Sequence, residues 1–309
     1  MEDGESRNVD VRGLSSHYNC RAVRDDVIRG AVEQVTVAVL DALARDEAPT
    51  SAALRLLLRS YSATGRDDIR DAIEPALARE LELAPTAAGE EQPRWLLLFA
   101  EAAAMSGDER LPSMAAELVR HVRSTWGRDR QQLDVAAEGV DACLRATELV
   151  SIGDLIQPAI DELERLVGAA YQPGHGVSDI LAEQIAVASA LITAYQVTGR
   201  LPYSMLAEEL VQAARRAGWD AESGAFSNVG ANIHRSTLFG LNCEAATVLS
   251  RLAALHRSDE YREAAVIAPG ADYDDDAARI LESLAADAPA HGLAGAVYGL
   301  AAAVRHSVL

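Results

Sequence analysis

The chain has 309 residues, 49% hydrophobic but only 5% aromatic, with a formal net charge of −19. That acidity, without clustered basic residues, excludes nucleic acid as a partner. All 28 basic residues are Arg, and the absence of lysine excludes Schiff-base chemistry, lysine-anchored pyridoxal phosphate and a Walker-type phosphate loop.

All-arginine usage fits a GC-rich bacterial genome. Three widely separated cysteines, Cys20, Cys143 and Cys243, predict no disulfide framework and a reducing cytoplasm. The start MEDGESRNVD carries no apolar signal core, and no apolar run reaches about 18 residues uninterrupted, so no membrane partner is expected.

In chain order, residues 1–21 read as an irregular segment and a helix follows from about Ala22 to Arg45. Paired helices then alternate in character. Leu54 to Tyr61 is apolar, Thr64-Gly65 turns the chain, and Asp68 to Leu83 is amphipathic. Trp95 to Met105 and Leu111 to Trp126 repeat the pattern, as do Leu133 to Val150 and Ile156 to Ala170. In the fourth unit, Ile180 to Tyr195 has no polar face and must be packed all round, whereas the helix opened by Pro202 sets Met205, Leu206, Leu210 and Ala213 against Glu208, Glu209, Gln212 and Arg216. A long loop from Trp219 to Arg235 precedes Leu238 to Leu255. Tyr261 to about Ala286 then follows, broken at Pro269-Gly270, and His291 to Val304 closes the series.

The turn markers Thr64, Ser106, Ser151, Thr198 and Ser258 are spaced 42, 45, 47 and 60 residues apart, a drifting repeat. The last helix lacks an outer partner and the first lacks an inner one. Pairing 22–45 with 291–305 closes six hairpins into one all-α domain over 1–309, an (α/α)6 toroid of about twelve helices. An open solenoid would lack this complementarity of the two ends.

The phrases AYQVTGRLPYSMLAEELVQAARRAGWDAESGAF and LNCEAATVLSRLAALHRSDEYREAA resemble the six-hairpin toroid of YyaL-like proteins, where it follows a thioredoxin-like domain. The resemblance implies kinship in fold with N-acylglucosamine 2-epimerases and six-hairpin glycosidases. The thioredoxin-like portion and any Cys-x-x-Cys are absent, so no redox role comes with it. PAHGLAGAVYGL is similar to helix starts of lanthionine synthetase cyclases, but Ala290 stands where their metal site has a Cys beside His291.

Short inner-to-outer turns and long outer-to-inner loops place the long loops and the inner-helix N-termini on one face, where function is expected. Helix N-termini there favour anions. Candidate catalytic residues on this face are His234, His291, His175, Asp179, Glu183 and Asp134; candidate substrate-binding residues are Arg94, Arg235, Glu138, Asn242, Glu244, His17 and Tyr18. Two facing histidines suit proton removal and return at carbon, an epimerase-like reading. Carboxylates facing across a cleft, such as Asp134 and Asp179, suit glycoside hydrolysis, which needs roughly 5 to 9.5 Å between them. Zinc on Cys243, His234 and His291 has acceptable donors but no supporting spacing. The expectation is an acid/base enzyme for a small polar or sugar-like molecule, without cofactor or metal, isomerase-like first and hydrolase second. A cyclase-like tailoring enzyme and a non-catalytic binding toroid stand as alternatives.

Overall fold

The computed structural model describes residues 11–84, 89–128, 132–227, 238–264 and 266–308, with side chains from Arg21 to Ser307 within them. In chain order the helices are α1 (Val11–Ala44), α2 (Ser51–Thr64), α3 (Asp67–Leu83), α4 (Gln92–Met105), α5 (Arg110–Arg123), α6 (Leu133–Leu149), α7 (Ile156–Ala170), α8 (Leu181–Thr198) and α9 (Leu201–Gly218). A hairpin of β1 (Trp219–Asp220) and β2 (Ala225–Phe226) is followed by α10 (Leu238–His256), α11 (Asp259–Ala264), α12 (Tyr273–Leu284), a 3-10 segment (Ala288–Gly295) and α13 (Ala296–Val308).

The inner helices pack in sequence, α2 on α4, α4 on α6, α6 on α8, α8 on α10 and α10 on α13, and α13 returns to α2. This closed ring, wrapped by α1, α3, α5, α7, α9 and α12, is an (α/α)6 toroid. Hydrophobic patterning separates the two layers. Helix α8 buries Leu181, Ile185, Val187, Ala188, Ala190, Leu191, Ile192 and Ala194 around most of its circumference. The outer α5 buries only the stripe Leu111, Ala115, Leu118, Val119 and Val122. The Thr-Gly turns end inner helices as read: Gly65 and Gly199 sit at φ +66° and +69°, and each N–H reaches back to a tyrosine carbonyl, Tyr61 or Tyr195, at 2.7 Å.

Closure uses both chain ends. Buried Arg305 of α13 bonds Asp25 of α1 at 2.6 Å, and Arg24 of α1 bonds Asp275 and Glu282 of α12 at 2.6 and 2.7 Å. At the seam between α13 and α2, a Cβ on Gly299 would come within 2.6 Å of the Leu56 side chain, so any other residue would force Leu56 to shift. Helix α10 is the one described helix long and apolar enough to cross a membrane, and 67% of that stretch is buried within the ring.

Three expectations change. The first helix includes residues from Val11 on, inside the stretch read as irregular; Gly13, Ser15, Ser16 and Asn19 are weak helix formers, but no proline interrupts the run. The expected His291–Val304 helix is divided, with Gly292 at φ +56° in the 3-10 segment and α13 starting at Ala296. The fifth outer helix is split more widely than read, into α11 and α12, with Pro269-Gly270 between them.

Candidate active site in the ring axis

The inner helices run parallel, with N-termini and long loops on one face. Arg94, in the first turn of α4, donates to Glu138 of α6 through Nε at 2.7 Å and Nη2 at 3.4 Å, with Glu91 3.6 Å away. Glu244 of α10 interacts electrostatically with Glu138, Arg94 and Asp134. Among the inner helices α10 packs chiefly on α8 and α13, so this interaction reaches across the middle of the ring. Four candidate residues therefore line one cup.

Glu244 is open to solvent yet enclosed by the cup walls. The desolvating surroundings, then the carboxylates of Glu138 and Asp134, push its carboxyl up to about 7, with Arg94 opposing. Glu138 in turn raises the Arg94 guanidinium above its usual range, keeping it cationic. Asp134 is half-buried in the first turn of α6, its Oδ1 accepting from Val135 N at 2.9 Å. The cup thus holds a carboxyl that is half protonated near neutrality beside a carboxylate gripped by arginine.

The other candidates are placed differently. His175 lies exposed in the rim loop before α8, a ring nitrogen 3.4 Å from Pro173 O. That loop is pinned by buried Gln184, which donates to His175 O (2.8 Å) and Ser178 O (2.7 Å) and accepts from Val177 N (3.2 Å). Asp179 is exposed and Glu183 half-buried at the start of α8; among the described residues neither bonds to the Arg94 cluster. His291 is exposed in the 3-10 segment, its ring stacked on Phe239 at 3.9 Å. Among the described residues no contact joins His175 to His291. His234 and Arg235 lie outside the described residues, as do the side chains of His17 and Tyr18.

Asn242 serves the chain itself. Its Oδ1 accepts from Phe226 N at 2.9 Å and its Nδ2 donates to Phe226 O and Leu238 O at 3.0 Å, anchoring the hairpin. Cys243 is buried, and burial followed by neighbouring Glu244 drives its thiol far up, against a zinc-ligating thiolate. Among the described residues no group of three metal-binding side chains converges. A separate groove of about 580 Å³, lined by Asp41, Asp68, Asp71 and Arg79, lies between α1 and α3, off the axis.

Sequence reading missed a second axial layer: Arg55 and Arg59 of α2, Glu101 of α4, Asp141 and Arg145 of α6, Ser189 and Thr193 of α8, and Arg251 of α10. The available signal was spacing. Glu101, Arg145 and Arg251 each follow a cup residue, Arg94, Glu138 or Glu244, by seven positions, two helical turns on the same face.

No family model and no curated protein matches the chain. Among solved structures it is similar to the GH76A alpha-1,6-mannanase from Salegentibacter sp. HEL1_6, with a TM-score of 0.59 and 12% identity over 93% of this chain and 100% of that one. The two share a fold. That likeness supports the six-hairpin glycosidase-like fold, and not the YyaL-like toroid in particular.

Proposed function

We propose that the chain is an acid/base hydrolase of a small sugar-like substrate bound in the cup. The observation that carries this reading is Glu244, whose carboxyl is poised at about 7 within electrostatic reach of the Arg94-bound Glu138. Glycoside hydrolysis needs two carboxyl groups in unlike states, one donating a proton to the leaving oxygen and one acting on the other side of the sugar. Glu244 is the donor. Glu138 or Asp134 activates the attacking water or attacks the anomeric carbon directly, and Arg94 orients Glu138. The glycosidic C–O bond breaks, the proton passes from Glu244 to the departing oxygen, and water supplies the new hydroxyl and restores the proton.

Hydrolysis is placed ahead of epimerisation because the cup brings carboxyl groups together while His175 and His291 share no described contact. The fold relation to an α-1,6-mannanase makes α-mannosides the first substrates to try. The test is release of reducing sugar from α-1,6-mannan and a panel of aryl glycosides, by the wild type and by Glu244→Gln and Glu138→Gln. A loss of roughly 10²–10⁴-fold in the Glu244 variant, with wild-type rates falling as pH rises past about 7, is expected. Activity that survives both substitutions, or none on any glycoside, overturns the reading.

A further inference from the structure

Below the cup, the axis carries a polar network that the proposed hydrolysis does not use. Arg145 bonds Asp141 through Nε (3.1 Å) and Nη2 (2.8 Å), and Thr193 Oγ1 donates a short hydrogen bond to the same carboxylate. Ser189 Oγ is the meeting point: it accepts from Arg145 Nη2 at 3.2 Å and from Arg251 Nη1 at 3.0 Å, and donates to Asp141 Oδ2 at 3.1 Å. Two guanidiniums thus converge on one hydroxyl around a single carboxylate.

Arg251 is only 8% exposed, and its described hydrogen bonds all go to neutral acceptors, Ser189 O, Ser189 Oγ, Thr193 Oγ1 and Gln196 Oε1. Among the described residues it forms no ion pair. Burial, and then the charge of Arg145, pull its guanidinium down to about 9, although Asp141 and the exposed Glu148 pull the other way. On neighbouring α2 and α4 the excess repeats: Arg55 and Arg59 share Glu101 at 2.7 and 2.9 Å. Four guanidiniums therefore face two carboxylates in this layer of a strongly acidic chain.

Asp141 reaches Arg251 only through the hydroxyl of Ser189, and a buried cation held without a direct ion pair is costly. The helix macrodipoles do not account for it, because their influence is confined to the last turn, and Arg145 and Arg251 stand before the last turns of α6 and α10. Solvent reaches the layer, since Arg145 is 25% exposed and its Nη1 takes no described acceptor.

We propose that this lower layer binds a small oxyanion of the phosphate type, held between Arg145 and Arg251 and flanked by the hydroxyls of Ser189 and Thr193. Paired guanidiniums suit phosphate oxygens, and the ligand would supply the direct ion pair that Arg251 lacks. The site is distinct from the cup, because Arg145 lies two turns beyond Glu138, about 10 Å along the axis.

The experiment is calorimetric titration of the full chain with inorganic phosphate, paired with thermal melts in phosphate or in chloride at equal ionic strength. Arg145→Gln leaves Arg251 as the one cation beside Asp141, so it should weaken phosphate binding about tenfold or more and lower the melting temperature in phosphate by more than it does in chloride. Arg145→Lys should retain part of the binding, and Arg94→Gln in the cup should leave it unchanged. The proposal is overturned if the wild type shows no saturable binding or if Arg94→Gln abolishes it. It is equally overturned if Arg145→Gln unfolds or destabilises the protein alike in both salts, since the arginines are then structural alone.

Discussion

Arg94, Glu138 and Glu244 in the cup are each followed, seven residues on, by a side chain of opposite charge, Glu101, Arg145 and Arg251. The same inner helices therefore carry an acid-rich layer near their N-termini and an arginine-rich layer two turns further along. In the upper layer three carboxyl groups meet one guanidinium; in the lower, four guanidiniums meet two carboxylates. They also differ in solvation: the upper layer opens to water, whereas Asp141 and Arg251 are buried. In the upper layer enclosure by the cup walls, and then the neighbouring carboxylates, shift the protonation equilibrium of Glu244, whereas the buried layer depends on a few internal partners.

Stability should expose this difference most strongly. Asp141→Asn removes the counter-charge of a buried network and is expected to cost about 3–5 kcal/mol, read as a fall in the urea midpoint. Glu138→Gln in the open layer breaks the Arg94 pair in reach of water and should cost about 1 kcal/mol or less.

The pH dependence of that midpoint should divide next, in opposite directions. Burial resists ionisation of Glu101, but Arg55 and Arg59 outweigh it and hold the carboxyl at about 2, below its ordinary 4.5. Its stabilising contribution is present above pH 4.5 and disappears as pH falls toward 2. Glu244, raised from 4.5 to about 7, binds more proton folded than unfolded, so its contribution declines as pH rises through that interval. Glu101→Gln should remove the acid-side loss and Glu244→Gln the neutral-side decline; if the two substitutions alter the same pH interval, the contrast fails. The smallest effect should be that of Arg94→Gln on the activity profile. Losing the one nearby cation that lowers Glu244 should move the alkaline limb upward in pH, and a downward move would contradict the assigned environment.

Much of the fold was legible because it follows from local patterning. The Gly65 and Gly199 turns, the all-round apolar α8 and the striped α5 report helix ends and burial without long-range information. The divided last helix was less legible, since His-Gly-Leu-Ala-Gly reads equally as a helix start or a 3-10 turn until Gly292 takes its positive φ. In the cup, Arg94, Asp134, Glu138 and Glu244 could be assigned to one face from helix polarity, yet neither their meeting nor the structural engagement of Asn242 could be read from position alone.

By itself the sequence determined that the chain alternates fully apolar with half-apolar helices, that its two ends complement each other, and that six hairpins form a ring. These are consequences of periodicity and turn chemistry, which act over a few residues. Only the tertiary structure decided which charges share the axis. The interaction of Glu244 with Glu138 joins non-adjacent helices across the ring, and the convergence of Arg145 and Arg251 on Ser189 links α6 to α10 through α8. Their protonation and pairing arise from distance and desolvation, quantities that exist only once α13 has closed on α2.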